Sequence, residues 1–208
     1  MKTTPHVLII GSGFAGMAAA CSLAAKGYRV DVYEKNEGPG GRARLLKEGG
    51  FVFDMGPSWY WMPDVFESFF ARFGKKVSDY YKLERLNPSY RVYFGEGDYF
   101  DVPADAEKLG ACFEAWEPGS AKQLVRFLKE AKYKYDVGIK ELVYKPGISL
   151  GEFADWKLIT GALRLDVFKS MHAHVRHFFK HPRILKILEF PVLFLGETPK
   201  NTPALYSL

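Results

Sequence analysis

Val7-Leu8-Ile9-Ile10-Gly11-Ser12-Gly13-Phe14-Ala15-Gly16, with the alanine-rich run Met17 to Lys26 and then Arg29-Val30-Asp31-Val32-Tyr33-Glu34, decides the fold. The continuous apolar run Val7 to Ile10 has the character of a strand buried on both faces. Met17 to Lys26 reads as a helix, and Gly27 stands where a left-handed C-cap is expected. Arg29 to Tyr33 alternates through Val30 and Val32 into a second strand, closed by Glu34. Each glycine has a mechanical reason: Gly11 allows the tight turn, Gly13 lets backbone amides approach a pyrophosphate, and Gly16 lets the helix lie close to the strand. The helix N-terminus, from Phe14 and Ala15 onward, turns free N–H groups and its positive dipole end toward the phosphates. Glu34, 18 residues after Gly16, stands where a carboxylate accepts hydrogen bonds from ribose hydroxyls and repels a 2′-phosphate. Strand, glycines, helix, strand and acid in this register form a dinucleotide-binding βαβ unit, without distinguishing FAD from NAD.

Outward from this unit, composition sets bounds. The chain has 208 residues, 48% of them hydrophobic and 16% aromatic, which excludes a disordered or fibrous class. Seventeen phenylalanines are more than an ordinary core needs and suit a protein that handles an apolar ligand. Cys21 and Cys112 are far apart and in no CxxC spacing, so neither a disulfide framework nor a zinc knuckle is expected and a reducing cytoplasm is the default. A lone Lys2 before a run broken by three glycines argues against a signal peptide. No uninterrupted apolar stretch reaches the roughly 18 residues of a spanning helix; Ile184 to Leu195 is interrupted by Lys186, Glu189 and Pro191. The net charge of +5 is uneven: residues 120–186 hold 14 basic against 6 acidic side chains, whereas residues 1–119 hold 14 against 16. That concentration points to an anionic surface as partner. Nucleic acid is not expected, and oligomeric state stays open.

Beyond the βαβ unit the chain reads as a hairpin and then helices. Pro63 to Phe73 is a short helix with Phe66, Phe69, Phe70 and Phe73 on one stripe, ended by Gly74. Tyr90 to Phe94 and Tyr99 to Val102 flank Gly95-Glu96-Gly97-Asp98 as a hairpin. Ser120 and Gln123 propose a capping box for a helix to about Tyr135, with Leu124, Phe127, Leu128 and Ala131 buried. Further helices are expected over Gly151–Leu165 and Val167–Leu188, the second broken at His181-Pro182. The chain divides into residues 1–75, an incomplete dinucleotide-binding portion, and 76–208, a portion of hairpin and then helices that is expected to face substrate and membrane. The fold class is α/β.

Glu34-Lys35, then Gly38-Pro39-Gly40-Gly41-Arg42, then Gly50-Phe51-Val52-Phe53-Asp54-Met55-Gly56-Pro57 is an order that resembles the FAD-binding amine oxidase and phytoene desaturase superfamily. With "GFVFDMGPSWYWMPDVFESFF", a hairpin and basic aromatic helices, the chain looks like the bacterial-type phytoene desaturases. The likeness is specific through about Phe73 and loose beyond. The resemblance implies noncovalent FAD, work at the membrane surface, and hydride transfer from an allylic C–H of a long apolar polyene to the flavin. It also adds Ser12, Lys35, Gly40, Gly41, Arg42, Gly56 and Pro57 to the cofactor-binding set. Gly40 and Gly41 allow a second close backbone approach, and Arg42 offers a fixed charge to the pyrophosphate or flavin.

Trp59-Tyr60-Trp61-Met62 either line an apolar channel or are ordinary core aromatics. Lys129, Lys132, Lys134, Arg176, Lys180, Arg183 and Lys186, mixed with Phe178, Phe179, Ile184 and Leu188, read as a surface for anionic headgroups or as a solvated basic face. His174, His177 and His181 would share one helix face with His172 nearby, but no carboxylate or cysteine in the local sequence completes a metal site, and none is assigned. No catalytic acid or base stands out. Two parallel strands make a poor sheet, so the expectation is a truncated chain, inactive by itself, peripheral to the inner face of the cell membrane. Competing readings are another amine oxidase-superfamily enzyme, a carotenoid isomerase, and a catalytically dead membrane-binding module.

Overall fold

The computed structural model describes residues 4–57, 59–138, 143–144, 148–149, 166 and 168–207. The expected helix over Gly151–Leu165 lies outside the described residues. Two compact units emerge, residues 1–83 and 84–208. The first extends past residue 75 because the turn Val77–Asp79 and the residues after it fold back on their own unit. Phe70 packs on Tyr80 at 4.9 Å, and Tyr60 meets Tyr81 at 5.9 Å.

The first unit begins with β1 (His6–Ile10), α1 (Phe14–Ala24) and β2 (Arg29–Tyr33). β1 and β2 pair in parallel, Val7 opposite Val30 and Ile9 opposite Val32. The α/β class and the Rossmann-like start are therefore present as expected. Burial is not. Ile10 is 93% and Leu8 59% exposed, because a two-stranded sheet with one helix leaves most of its apolar surface uncovered. A second element pair, β3 (Leu45–Glu48) and β4 (Phe51–Asp54), forms an antiparallel hairpin about Gly49 and Gly50, both at positive φ. The sequence did not reveal it. α2 (Pro63–Ala71) has proline at its start and sets Phe66 against both Phe14 and Tyr60, at 6.0 and 4.8 Å. Trp59, Tyr60 and Met62 are each 38% exposed. They are half-exposed rather than sealed in a core.

The second unit holds the core. β5 (Tyr90–Gly95) and β6 (Asp98–Val102) form the expected hairpin. α3 (Ala106–Trp116), unforeseen, is capped by the Asp105 carboxylate, which accepts from the Lys108 N–H at 2.9 Å. α4 (Ser120–Val137) follows. Its start is not the capping box read from the sequence. Gly119 is the N-cap in a left-handed conformation, and the Glu114 carboxylate accepts the Gly119 and Ala121 N–H groups at 2.7 and 2.9 Å. The Ser120 hydroxyl is buried without a partner. Leu124, Phe127 and Ala131 are buried as expected, while Leu128 is 39% exposed. α5 (Met171–Phe178) and α6 (Pro182–Glu189) flank the break expected at His181-Pro182, α5 starting at Met171 rather than Val167 and being capped by the Ser170 hydroxyl. Val102, Phe113, Leu124, Phe127, Val175, Phe179 and Ile184 interlock in one core. A 3-10 turn spans Ala204–Ser207.

Candidate dinucleotide site

The turn between β1 and α1 is shaped by its glycines. Gly11 takes φ +95°, a conformation unfavourable for other residues, and its N–H donates to the Tyr33 carbonyl at 2.7 Å, fixing the turn to β2. Gly16 packs on that turn: a Cβ there would overlap the Gly11 carbonyl oxygen and lie 3.5 Å from Ile9 Cγ2. Gly13 is the N-cap of α1, and no side chain caps the helix. Its first amides are therefore left for an anion. A Cβ on Gly13 would meet no atom nearer than Gly41 Cα at 4.0 Å, so this position is kept open toward whatever approaches the turn.

The Gly-Gly-Arg segment lies against this turn. Gly40 N–H donates to the Ser12 carbonyl at 2.9 Å, and a Cβ on Gly41 would come within 3.0 Å of Gly13 Cα. Gly56 in turn rests on Ala43 and Arg42, where a Cβ would be 3.0 Å from Ala43 Cα. Gly11, Ser12, Gly13, Gly16, Gly40, Gly41, Arg42 and Gly56 are thus brought into one neighbourhood by backbone-to-backbone packing. Arg42, Lys35, Phe14, Ala15 and Pro57 are exposed. Phe14 leans edge-on to Phe66.

Glu34 sits at the end of β2 facing the turn. Its Oε2 accepts both the Ser12 N–H and the Ser12 hydroxyl at 2.8 Å, and its Oε1 accepts the Asn36 N–H at 3.0 Å and the Asn36 amide at 2.7 Å. These bonds, led by those from the Ser12 and Asn36 backbones, hold its pKa down at about 2. The carboxylate is therefore ionised throughout the physiological range. Sequence reasoning found Glu34 and missed Asn36. Its position two residues after the acid was the available clue, since Asn side chains bond locally in turns.

The histidines do not form a site. His181 stacks on Trp116 at 5.7 Å, His172 pairs with Glu189 at 3.2 Å, His177 is exposed, and His174 is buried. The helix break at Phe179 to His181 separates only His181 from the other three, which lie on the helix Met171–Phe178. His174 instead belongs to a polar cluster around Lys134, whose ammonium lies 3.2 Å from His174 Nε2 and from Asp166 Oδ2, and donates to the Ala204 carbonyl at 3.1 Å. Lys134 is 1% exposed, so it is no part of a basic surface. Burial, then the Lys134 charge, brings the His174 pKa down to about 4. Glu130, Asp166 and His174 could present three ligand atoms within 4.8 Å of one another, beside the Lys134 ammonium that already pairs with two of these residues. Phe178, Phe179 and Ile184 are also buried, and Arg176 and Arg183 pair with Glu189 and Asp98. The exposed basic strip that remains on α4 is Lys122, Arg126, Lys129 and Lys132, interleaved with Val125 and Leu128.

Comparison with known proteins agrees with this geometry. Residues 9–73 match the family model of the NAD(P)-binding Rossmann-like domain. A carotenoid 3,4-desaturase of Haloarcula japonica is 43% identical over 203 residues, 97% of this chain and 41% of that protein. A 4,4'-diapophytoene desaturase (4,4'-diaponeurosporene-forming) of Staphylococcus haemolyticus is 34% identical over 202 residues, 97% of this chain and 40% of that protein. The chain thus spans about two-fifths of the length of these curated relatives. Among solved structures, putrescine oxidase bound to putrescine matches with TM-score 0.60 and 19% identity, over 99% of this chain and 41% of that one. A CLA-producing fatty acid isomerase from P. acnes matches with TM-score 0.52 and 18% identity, over 100% of this chain and 42% of that one. At these identities the two structures speak for the fold alone.

Proposed function

The chain is a sequence relative of the carotenoid desaturases, and from that premise we propose that it forms the dinucleotide-binding part of an FAD-dependent desaturase acting on a long apolar polyene. The observation that carries the cofactor reading is the open approach at Gly13, set between the uncapped N-terminus of α1 and the ionised Glu34 carboxylate. The residues fit the adenosine diphosphate half of the cofactor. Amides at Gly13 to Ala15 face a pyrophosphate, Glu34 receives the ribose hydroxyls, and Arg42 supplies a fixed positive charge. FAD, when bound, supplies the acceptor for a hydride from an allylic C–H. The absence of a basic residue at Asn36 and the negative charge of Glu34 disfavour a 2′-phosphate.

The substrate reading rests on the desaturase relatives, and the half-exposed aromatic cluster around Tyr60 and Phe66 is compatible with it. Leu8, Ile10 and Val32 are exposed apolar side chains of a two-stranded sheet. Further strands would cover them, so the 208 residues alone are expected to bind nucleotide without turning over substrate. A chimera in which these residues replace the matching segment of the Haloarcula carotenoid 3,4-desaturase tests the assignment. It should form pigment with a lengthened conjugated system, and Glu34→Ala should abolish flavin retention. A folded chimera that retains flavin and oxidises amines but leaves polyenes untouched would overturn the substrate reading.

Peripheral membrane contact is the second part of the proposal. Among the described residues no helix is long and apolar enough to cross a membrane. The α4 strip of Lys122, Arg126, Lys129 and Lys132 suits anionic headgroups, with Val125, 68% exposed, beside it. Binding to anionic vesicles should fall as salt rises, because the Debye length shrinks to about 3 Å at 1 M. Equal binding to neutral vesicles at every salt concentration would remove this part.

A further inference from the structure

The Glu34 carboxylate is already saturated. A carboxylate offers roughly four lone-pair sites, and here four donors fill them, two on each oxygen. The pattern is symmetrical: each oxygen receives one backbone N–H and one side-chain donor. The backbone donors are fixed. Ser12 lies in a turn locked on one side by the Gly11 N–H to Tyr33 carbonyl bond and on the other by the Gly40 N–H to Ser12 carbonyl bond. Its side-chain hydroxyl and the Asn36 amide, in contrast, leave by rotation about a single side-chain torsion.

We propose that the Ser12 hydroxyl and the Asn36 side-chain amide are exchangeable stand-ins for the two hydroxyls of a ribose cis-diol, so that these residues set how tightly the site takes an adenosine ribose. The inference rests on the dinucleotide reading of the site and adds two residues that determine its affinity. A cis-diol carries two donors on adjacent carbons, which matches one vacated position on each carboxylate oxygen. The two N–H groups stay in place and keep the carboxylate aimed. An internal donor is a stronger competitor than water, because it gives up no translational freedom when it binds. Removing it should therefore favour the ligand. That is the opposite of what a contact residue or a simple positioning residue would do.

The test uses the 208-residue chain, ADP and 2′,3′-dideoxy-ADP as probes, and titration calorimetry, with circular dichroism to establish that each variant is folded. Asn36→Ala and Ser12→Ala should each tighten ADP binding by about threefold to tenfold, the scale of one net hydrogen bond. Neither should tighten binding of the dideoxy compound, which has no diol to exchange. Glu34→Gln should weaken ADP binding and leave the dideoxy compound nearly unaffected. Unchanged or weaker ADP binding in both single variants, with Glu34→Gln still losing affinity, would overturn the exchange while leaving the dinucleotide reading intact. A Glu34→Gln chain that binds ADP as well as the parent would overturn both.

Discussion

Replacing Gly16 by alanine puts two opposed effects on one residue. Alanine is the better helix former by about 1 kcal/mol, and position 16 lies in the first turn of α1, so propensity alone predicts a gain. The added Cβ, however, would overlap the Gly11 carbonyl oxygen and lie 3.1 Å from its carbon. That neighbour is backbone, and Gly11 is tied to Tyr33 by a 2.7 Å hydrogen bond. Relief therefore requires α1 to lift from β1 or the β1–β2 register to open. Overpacking against a surface that cannot give costs at the upper end of its usual range, about 3 kcal/mol. The net is a loss of about 2 kcal/mol, or roughly thirtyfold in the local opening equilibrium. Hydrogen exchange read by mass spectrometry should show peptides from residues 6–33 exchanging about thirtyfold faster, with peptides from 90–137 unchanged. Gly138→Ala is the control. That residue has φ −60°, and nothing lies within 4 Å of an added Cβ, so it should be neutral or stabilising by up to about 1 kcal/mol. If Gly16→Ala leaves residues 6–33 as protected as in the parent, the close strand-to-helix packing assigned to this glycine is wrong.

Gly13→Val should leave protection of β1 and β2 within about threefold of the parent, because the free site has room for its Cβ, yet remove measurable FAD binding; retained binding would show that the ligand does not approach Gly13. His174 gives a pH dependence whose sign follows from its lowered pKa. The unfolded chain takes up a proton near pH 6.5 and the folded one only near 4, so stability from this group is complete above about pH 6.5 and is lost as pH falls toward 4, by up to about 3 kcal/mol. Urea titrations of the parent and His174→Phe at pH 7 and pH 5 check it: the parent should lose more stability than the variant between those values, and equal losses would refute it. Lys134→Met should destabilise the second unit by about 3 kcal/mol, since it leaves the buried Ala204 carbonyl without its Lys134 donor and Asp166 with Lys169 as its one remaining cation; a neutral effect in urea denaturation would mean that the cluster is not formed in solution.

What the sequence disclosed and what it withheld have physical reasons. The glycine turn was legible because its constraints are local: a positive φ at Gly11, an open N-cap at Gly13 and a contact at Gly16 leave a fixed spacing. The 90–102 hairpin was legible through Gly95-Glu96-Gly97-Asp98 and the alternation on both sides of it. The 45–54 hairpin was not, because Leu45-Leu46-Lys47-Glu48 does not alternate and every residue of both strands is exposed, so no buried face imposes a period of two. α3 was hidden by Gly110, a poor helix former, although a Cβ there would make only ordinary contact, 3.7 Å from Ala121 Cβ on the facing helix. Lys134 misled most. A lysine reads as solvated, yet it continues the stripe Leu124, Phe127, Ala131 at helical spacing, and that spacing was the available sign of its burial. The supports of Glu34 were only half visible, since Asn36 acts through its side chain in a turn that has no periodicity.

In the proposed function, the turn from Gly11 to Gly16 and the end of β2 receive the adenosine diphosphate half of a dinucleotide. Titrating ADP into the isotopically labelled chain while following backbone amide resonances tests it directly. Saturable shifts are expected at Gly11 to Gly16, Glu34 to Asn36 and Gly40 to Arg42, with the amides of α3 to α6 unmoved. No shift at those positions at millimolar ADP, or shifts confined to residues 84–207, would contradict it.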